Sequence, residues 1–417
     1  MTFYFERGYI ADSSVDLTTV SIHHKGDATM IYVGIDVAKD KHDCLIINSD
    51  GEILFDSFTI SNNLDGFHLL VSRIHSCSRD YSQIKIGLEA TGHYSNNISE
   101  YLVNKNFPVF IINPLHTSFY RKSLSFRKTK TDKADAHSIV SMLMTQKLTP
   151  YVPVSYHKKE LKSLTRYRFN LVQDCSTLKV SFARLMNIVF PELENIVHEL
   201  QVNSVYQLMS EYPDTVSISN AHLTHLTNLL SKYSKGHYKR EKALEIRNAA
   251  RQSIGSCDGI LTLEIQQTIS RIRLLQEQIR VVESRIKAII KEIDSPFITI
   301  PGISYITAAM IHAEIGDFSN FSSAEKILAY AGMEPSIYQS GQYTATHAKM
   351  VKRGSKYLRY ALYTAAKNVG NRDNTFKEYL QKKLSEGKHY NVAVSHVAKK
   401  LVRTLYSMEI NHTAYIK

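Results

Sequence analysis

The chain has 417 residues, and its 51 Lys and Arg against 39 Asp and Glu give a net charge of +12 and a pI near 9.2. That length suits two or three domains, and the basic balance favours a polyanionic partner, nucleic acid first. No run is apolar for long enough to span a bilayer, no signal peptide is found, and Cys44, Cys77, Cys175 and Cys257 lack disulfide or metal-ligand spacing, so a membrane protein and a disulfide scaffold are excluded as expectations.

Residues 1–29 are polar and weakly patterned and read either as an N-terminal extension or as preceding a true start at Met30, which lies directly before the first strand. In the next stretch, Val33, Ile35 and Val37 alternate with Gly34, Asp36 and Ala38, which predicts a strand with one apolar face and one small or acidic face. A carboxylate such as Asp36 in a buried strand is costly unless something pairs with it. Residues 41–48 and 53–60 read as two further strands joined by a Ser-Asp-Gly hairpin signal. Residues 64–77 are helical, 84–90 form a fourth strand bearing Glu89, 94–105 are helical and 108–112 form a fifth strand. A three-strand meander followed by helix, strand, helix and strand is the element order of an RNase H-like (RuvC-like) α/β domain, assigned to residues 30–150.

Residues 116–130 mix Arg121, Lys122, Arg127, Lys128 and Lys130 with Phe119, Tyr120 and Phe126. Cations beside aromatics suit a nucleic-acid backbone with bases alongside. Thr131 is the expected N-cap of a helix to Thr145, and Asp132 and Asp135 share a face in its first turn. Acids there also complement the helix dipole, so either alone has a structural explanation.

From Lys159 the pattern is heptad: Leu161, Leu164, Leu171, Cys175, Leu178, Phe182, Leu185 and Val189, with Arg168 as the polar break and Pro191 as the stop. A second seam runs from Leu261 to Ile293, over roughly 50 Å at 1.5 Å per residue. The two predict an antiparallel helical hairpin or an intermolecular coiled coil over residues 155–295, interrupted by a helical insert, 192–258, with a basic patch at 232–247. Residues 296–417 read as a mostly helical domain. Its helices 306–315 and 323–331 suggest a helix-hairpin-helix-like unit, and further helices are expected at 357–369 and 389–406. Lys349, Lys352, Arg353, Lys356 and Arg359 surround Gly354 and are candidate nucleic-acid contacts.

The first and fourth strands of an RNase H-like sheet are neighbours, so Asp36, Glu89, Asp132 and Asp135 are expected to converge. Four such acids repel unless hard cations neutralise them, and magnesium or manganese suits oxygen ligands and can clamp a phosphodiester in displacement.

The motifs GIDVAK (34–39), LEATG (88–92), KTDKAD (130–135), PGI (301–303), and QSG (339–341) followed by KRGSKYLR (352–359) together resemble the "IS one-ten" family. These insertion-sequence transposases are related to Piv-type DNA invertases. The resemblance runs from Met30 to about Val369. It implies a RuvC-like DEDD domain, a coiled coil and a C-terminal transposase domain, in a site-specific recombinase that excises and inserts its own element. It implies Asp36, Glu89, Asp132 and Asp135 as the catalytic, metal-binding acids. It also implies Ser340 as a catalytic nucleophile that forms a covalent phosphoserine link to DNA. The partners it implies are donor and target double-stranded DNA, a non-coding bridge RNA, and further copies of the chain in a dimer or tetramer through the coiled coil. The setting it implies is a bacterial or archaeal cytoplasm, at the nucleoid.

The residues alone leave more open. A serine needs activation to act as a nucleophile, and Ser336, Thr344 and Ser355 compete with Ser340. The alternatives are a RuvC-like nuclease or junction resolvase using activated water, and a catalytically inert nucleic-acid scaffold. A sugar-kinase-like fold is disfavoured for want of a second glycine-rich phosphate loop. The extension before Met30 and the 192–258 insert depart from the simplest family pattern.

Overall fold

The computed structural model describes residues 29–124, 132–151, 156–256, 258–335, 339–340, 343–344 and 350–416, with the backbone alone at 124, 132–134, 156–157, 339–340 and 343–344. The chain divides into two compact units, Met1–Pro153 and Val154–Lys417.

In the first unit, β1 (Ile31–Val37), β2 (Lys41–Asn48) and β3 (Ile53–Ser61) form the meander. Then come α1 (Leu64–Cys77), β4 (Ile84–Glu89), α2 (Tyr94–Asn104), β5 (Val109–Ile112), α3 (Pro114–Leu124) and α4 (Asp132–Thr145). The sheet order is β3-β2-β1-β4-β5, with β1, β4 and β5 parallel and β2 antiparallel to β1 and β3. This is the strand order expected of an RNase H-like domain. Val33, Ile35, Val37, Ile86 and Leu88 pack with Leu70, Ile74, Ile98 and Leu102 of α1 and α2. Tyr32, Leu45 and Phe110 pack with Ala136, Val140 and Leu143 of α4. Both faces of β1 are therefore covered, not one. The start of the basic, aromatic stretch is helical: Pro114 opens α3, and Asn113 Oδ1 accepts from the Leu115 N–H at 2.9 Å.

In the second unit, α5 (Tyr156–Val189) and α11 (Gly259–Glu292), 34 residues each, are its longest described helices. Between them lie α6 (Leu193–Ile196), α7 (Asn203–Glu211), α8 (Thr215–Asn220), α9 (Leu223–Tyr233) and α10 (Arg240–Arg251). Arg168 bonds Glu283 at 2.7 Å and Arg184 bonds Glu264 at 2.8 Å, so α5 and α11 pair antiparallel within one chain. The polar break at Arg168 is thus an ion pair across the seam. The pair serves two cores. Phe182, Leu185, Val189, Ile265 and Ile272 bury against the insert helices. Leu161, Leu171, Val282 and Ile286 bury against the C-terminal helices.

Those helices are α12 (Tyr305–Ile315), α13 (Ala324–Tyr330), α14 (Lys356–Arg372), α15 (Asn374–Ser385) and α16 (Tyr390–Asn411), with a short ribbon of β6 (Gln339–Ser340) and β7 (Tyr343–Thr344) between α13 and α14. Helix α12 is buried continuously from Thr307 to Ile315, as a helix at the centre of a domain must be. Helix α15, capped by Asp373, is an element the sequence reading passes over.

Candidate active site

Two short sequences build the centre of the sheet, Gly34-Ile-Asp on β1 and Gly87-Leu-Glu on β4. Gly34 and Gly87 are register partners. A Cβ on Gly34 would lie 2.5 Å from the Ala136 carbonyl oxygen, and one on Gly87 would lie 2.8 Å from Leu143 Cδ1. The glycines are therefore where α4 lies against the sheet, with no room for a side chain. Two residues on, the side chain returns to the same face. That places Asp36 and Glu89 on the α4 face at the C-terminal ends of adjacent strands, one step beyond the Ile35–Leu88 pair, with strands about 4.8 Å apart.

A third carboxylate joins this row. Asp43 on β2 is the direct cross-strand partner of Asp36, so it shares the face. It is 8% exposed, accepts a 2.5 Å hydrogen bond from Thr59 Oγ1 and lies 3.8 Å from Lys41 Nζ. The sequence reading missed it, because Lys41 and His42 directly before it make the start of strand 41–48 read as polar. The negative field is felt through the sheet. Burial drives the Cys44 thiol far above its ordinary range, and the charges of Asp43 and Asp36 push it the same way, against Arg73. Cys44 is a buried thiol, not a nucleophile.

Helix α4 supplies the other two acids. Its far end is followed by Tyr151, whose N–H donates to the Val109 carbonyl at the start of β5. Near the helix start, the Ala136 carbonyl lies over Gly34, so this part of α4 covers β1 two residues before Asp36. Asp135 is buried at 7% and paired with Arg121 of α3. The Asp132 and Thr131 side chains fall outside the described residues. His137 is half-buried. Among the described residues, no group of three or more His, Cys, Asp and Glu is arranged to hold a metal ion. The donor set offered by this face is all oxygen, the chemistry a hard divalent cation selects.

The basic candidates divide. Lys122 is exposed, and its ammonium is 5.9 Å from the Phe119 ring. Lys352, Arg353 and Lys356 are exposed in the second unit. Arg359 is committed internally, donating to the Ala331 carbonyl at 2.9 Å. Arg127, Lys128, Lys130 and Lys349 lie outside the described residues, as do Ser336 and the Ser340 side chain. The Ser340 backbone pairs with Tyr343 in the ribbon. No described helix is long and apolar enough to cross a membrane.

Residues 33–191 match a family model described as "Transposase", and residues 294–381 match one described as "Transposase IS116/IS110/IS902 family". An IS116 insertion-element protein of Streptomyces clavuligerus is 24% identical over 91% of this chain and 94% of its own length. The pilin gene-inverting protein of Moraxella lacunata is 26% identical over 90% of this chain and 95% of its own. Among solved structures, Thermus thermophilus RuvC matches with 9% identity and a TM-score of 0.22, over 29% of this chain and 100% of that one. The molecule is a DNA transposase, an enzyme of phosphodiester strand transfer. It belongs to the IS116/IS110/IS902 family.

Proposed function

We propose that this transposase excises and inserts its own insertion sequence at specific sites, guided by a bridge RNA that pairs with donor and target DNA. The observation that carries the reading is the pair of Gly-x-acid strands, which sets Asp36 beside Glu89 on the face that receives the acidic start of α4. Asp36, Glu89, Asp132 and Asp135 would hold Mg2+ or Mn2+, with Arg121 leaving Asp135 as the cation or DNA arrives. The bound ion would neutralise charge on the scissile phosphate and on the departing oxygen. Asp43, held by Thr59, lies beside Asp36 and fixes its surroundings.

Ser340 is the nucleophile in this reading. Its Oγ forms a bond to phosphorus as the bond from phosphorus to a deoxyribose oxygen breaks, and the serine proton ends on that oxygen. A hydroxyl of the exchanged strand then attacks the phosphoserine, releases Ser340 and reseals the DNA. Bond type is conserved throughout, so no external energy source is needed. Lys122, Lys352, Arg353 and Lys356 hold the DNA backbone, joined by Arg127, Lys128, Lys130 and Lys349. The family resemblance supports an oligomer built through α5 and α11, and the length of those helices favours a shared site, with acids from one subunit and serine from another.

Incubation with a duplex spanning one end of the element, followed by denaturing electrophoresis, tests the chemistry. The expected result is a protein–DNA adduct that Ser340→Ala abolishes. Cleavage with no adduct would instead identify water as the nucleophile. Mixing Asp36→Ala with Ser340→Ala protein should restore some cleavage if sites are shared, and no restoration among freely mixing subunits contradicts that part.

A further inference from the structure

Helix α12 is apolar almost throughout, yet it carries Glu314, whose side chain is 1% exposed. Arg166 of α5 grips this carboxylate with two bonds, Nε to Oε1 at 2.6 Å and Nη2 to Oε2 at 3.0 Å. Ser355 Oγ donates a third, to Oε2, at 2.6 Å. The guanidinium also lies 4.7 Å from the Tyr357 ring. Burial pushes the Glu314 carboxyl up, but the bonds from Arg166 and Ser355 and the charges of Arg166 and Lys162 outweigh it and hold it below its ordinary value. A buried ion pair is not the cheapest way to fill a core, so its geometry calls for a use.

Ser355 shows where that use lies. Its Oγ accepts from the Leu358 N–H at 3.1 Å and so caps α14, while its own N–H donates to the Tyr330 carbonyl at the end of α13. Around it, the chain leaving α13 and the chain entering α14 form a tight stem. Lys352 N–H donates to Gly332, Val351 N–H donates to Glu334, and Pro335 bridges Met350. Gly354, at φ +138, lets the strands close: a Cβ there would sit 2.2 Å from the Tyr330 carbonyl oxygen. Arg359 closes the other side through the Ala331 carbonyl. In the chain, the ribbon bearing Ser340 falls between the two arms of this stem.

We infer that Arg166, Glu314 and Ser355 form an anchor that positions the stem of the Ser340 ribbon against α5, making Glu314 and Ser355 positioning residues for strand transfer. The inference rests on Ser340 as nucleophile. It predicts that the rate of adduct formation at saturating DNA depends on the hydrogen bond from Ser355 to Glu314, apart from any change in affinity passed on through the neighbouring Arg353 and Lys356.

Ser355→Asp isolates the effect. Aspartate still caps α14 but sets an acceptor against Glu314 in place of a donor. The expected result is a fall of tenfold or more in the adduct rate at saturating DNA, where any loss of affinity is overcome, and faster amide exchange in residues 330–335 and 350–355. Glu314→Gln combined with Ser355→Asp exchanges donor and acceptor and is expected to recover much of the rate. If Ser355→Asp folds poorly, Ser355→Ala, which leaves the Arg166–Glu314 pair intact, is expected to show the same loss. A wild-type rate in the folded variant overturns the inference, whether or not exchange changes. Ser340→Ala run alongside separates the two readings: an adduct that persists there removes Ser340 as nucleophile, while stem exchange still reports on the anchor.

Discussion

Asp36 is the one residue of β1 that is not fully buried, and it sits against Asp43 across one strand and beside Glu89 on the other. Its charge has no packing role that an amide would not fill. Asp36→Asn and Glu89→Gln are therefore expected to fold normally and to lose strand transfer by on the order of 10²-fold or more, measured as recombinant product per hour. Glu314 behaves in the opposite way. Glu314→Ala strands the Arg166 guanidinium and should cost about 2–3 kcal/mol in chemical denaturation, below the loss for a fully buried pair because 40% of the Arg166 side chain is exposed. Asp36 and Glu89 stand out in sequence because each is a carboxylate near the end of a largely apolar strand. The pairing of Arg121 with Asp135 was not, since it depends on how α3 packs against α4. Glu314 left a signal that went unread: with His312, it is a polar residue in the apolar run 305–315.

At the scale of elements, the sheet and α4 fit together through absent side chains. Gly34→Val places a branched side chain against the Ala136 carbonyl oxygen and Val140 Cγ2, at 2.5 and 2.7 Å for the first carbon alone. The expected outcome is a loss of about 1–3 kcal/mol, read as a lower Tm, together with lost activity because the acidic start of α4 is displaced. A Tm equal to the wild type would show that α4 does not dock there. Strand periodicity and the Ser-Asp-Gly link made β1 to β3 readable. Helix α3 was hidden because its cations and aromatics drew a functional reading, although Asn113 followed by Pro114 is a helix-start signal. Helix α15 was overlooked despite Asp373 as its cap and Phe376 and Leu380 on its buried face. The heptads of α5 and α11 fixed two long helices but not their pairing, which needed Arg168–Glu283 and Arg184–Glu264 to show its direction.

For the whole molecule, a net charge of +12 implies DNA binding governed by counterion release. Affinity for a duplex should fall at least about tenfold between 50 and 200 mM salt, and a salt-independent affinity would contradict a phosphate-backbone interface. Stability should also respond to acid through His312. Burial, aided by the charge of Lys158, lowers its pKa from 6.5 to about 4, and Ser295 Oγ lies 2.6 Å from its Nε2. The unfolded chain therefore binds the proton more readily. Stability conferred by neutral His312 is complete above pH 6.5 and is lost as pH falls toward about 4, a change of at most about 3 kcal/mol. His312→Phe should flatten urea-denaturation stability across that window, and an unaltered pH dependence would exclude His312 as its source. The most direct test of the account is a crystal grown with Mn2+ and the DNA duplex, examined by anomalous scattering. The expected result is a manganese peak coordinated by Asp36 and Glu89, with Asp135 released from Arg121. Manganese bound elsewhere, with the Asp36 and Glu89 carboxylates turned away from each other, would contradict it.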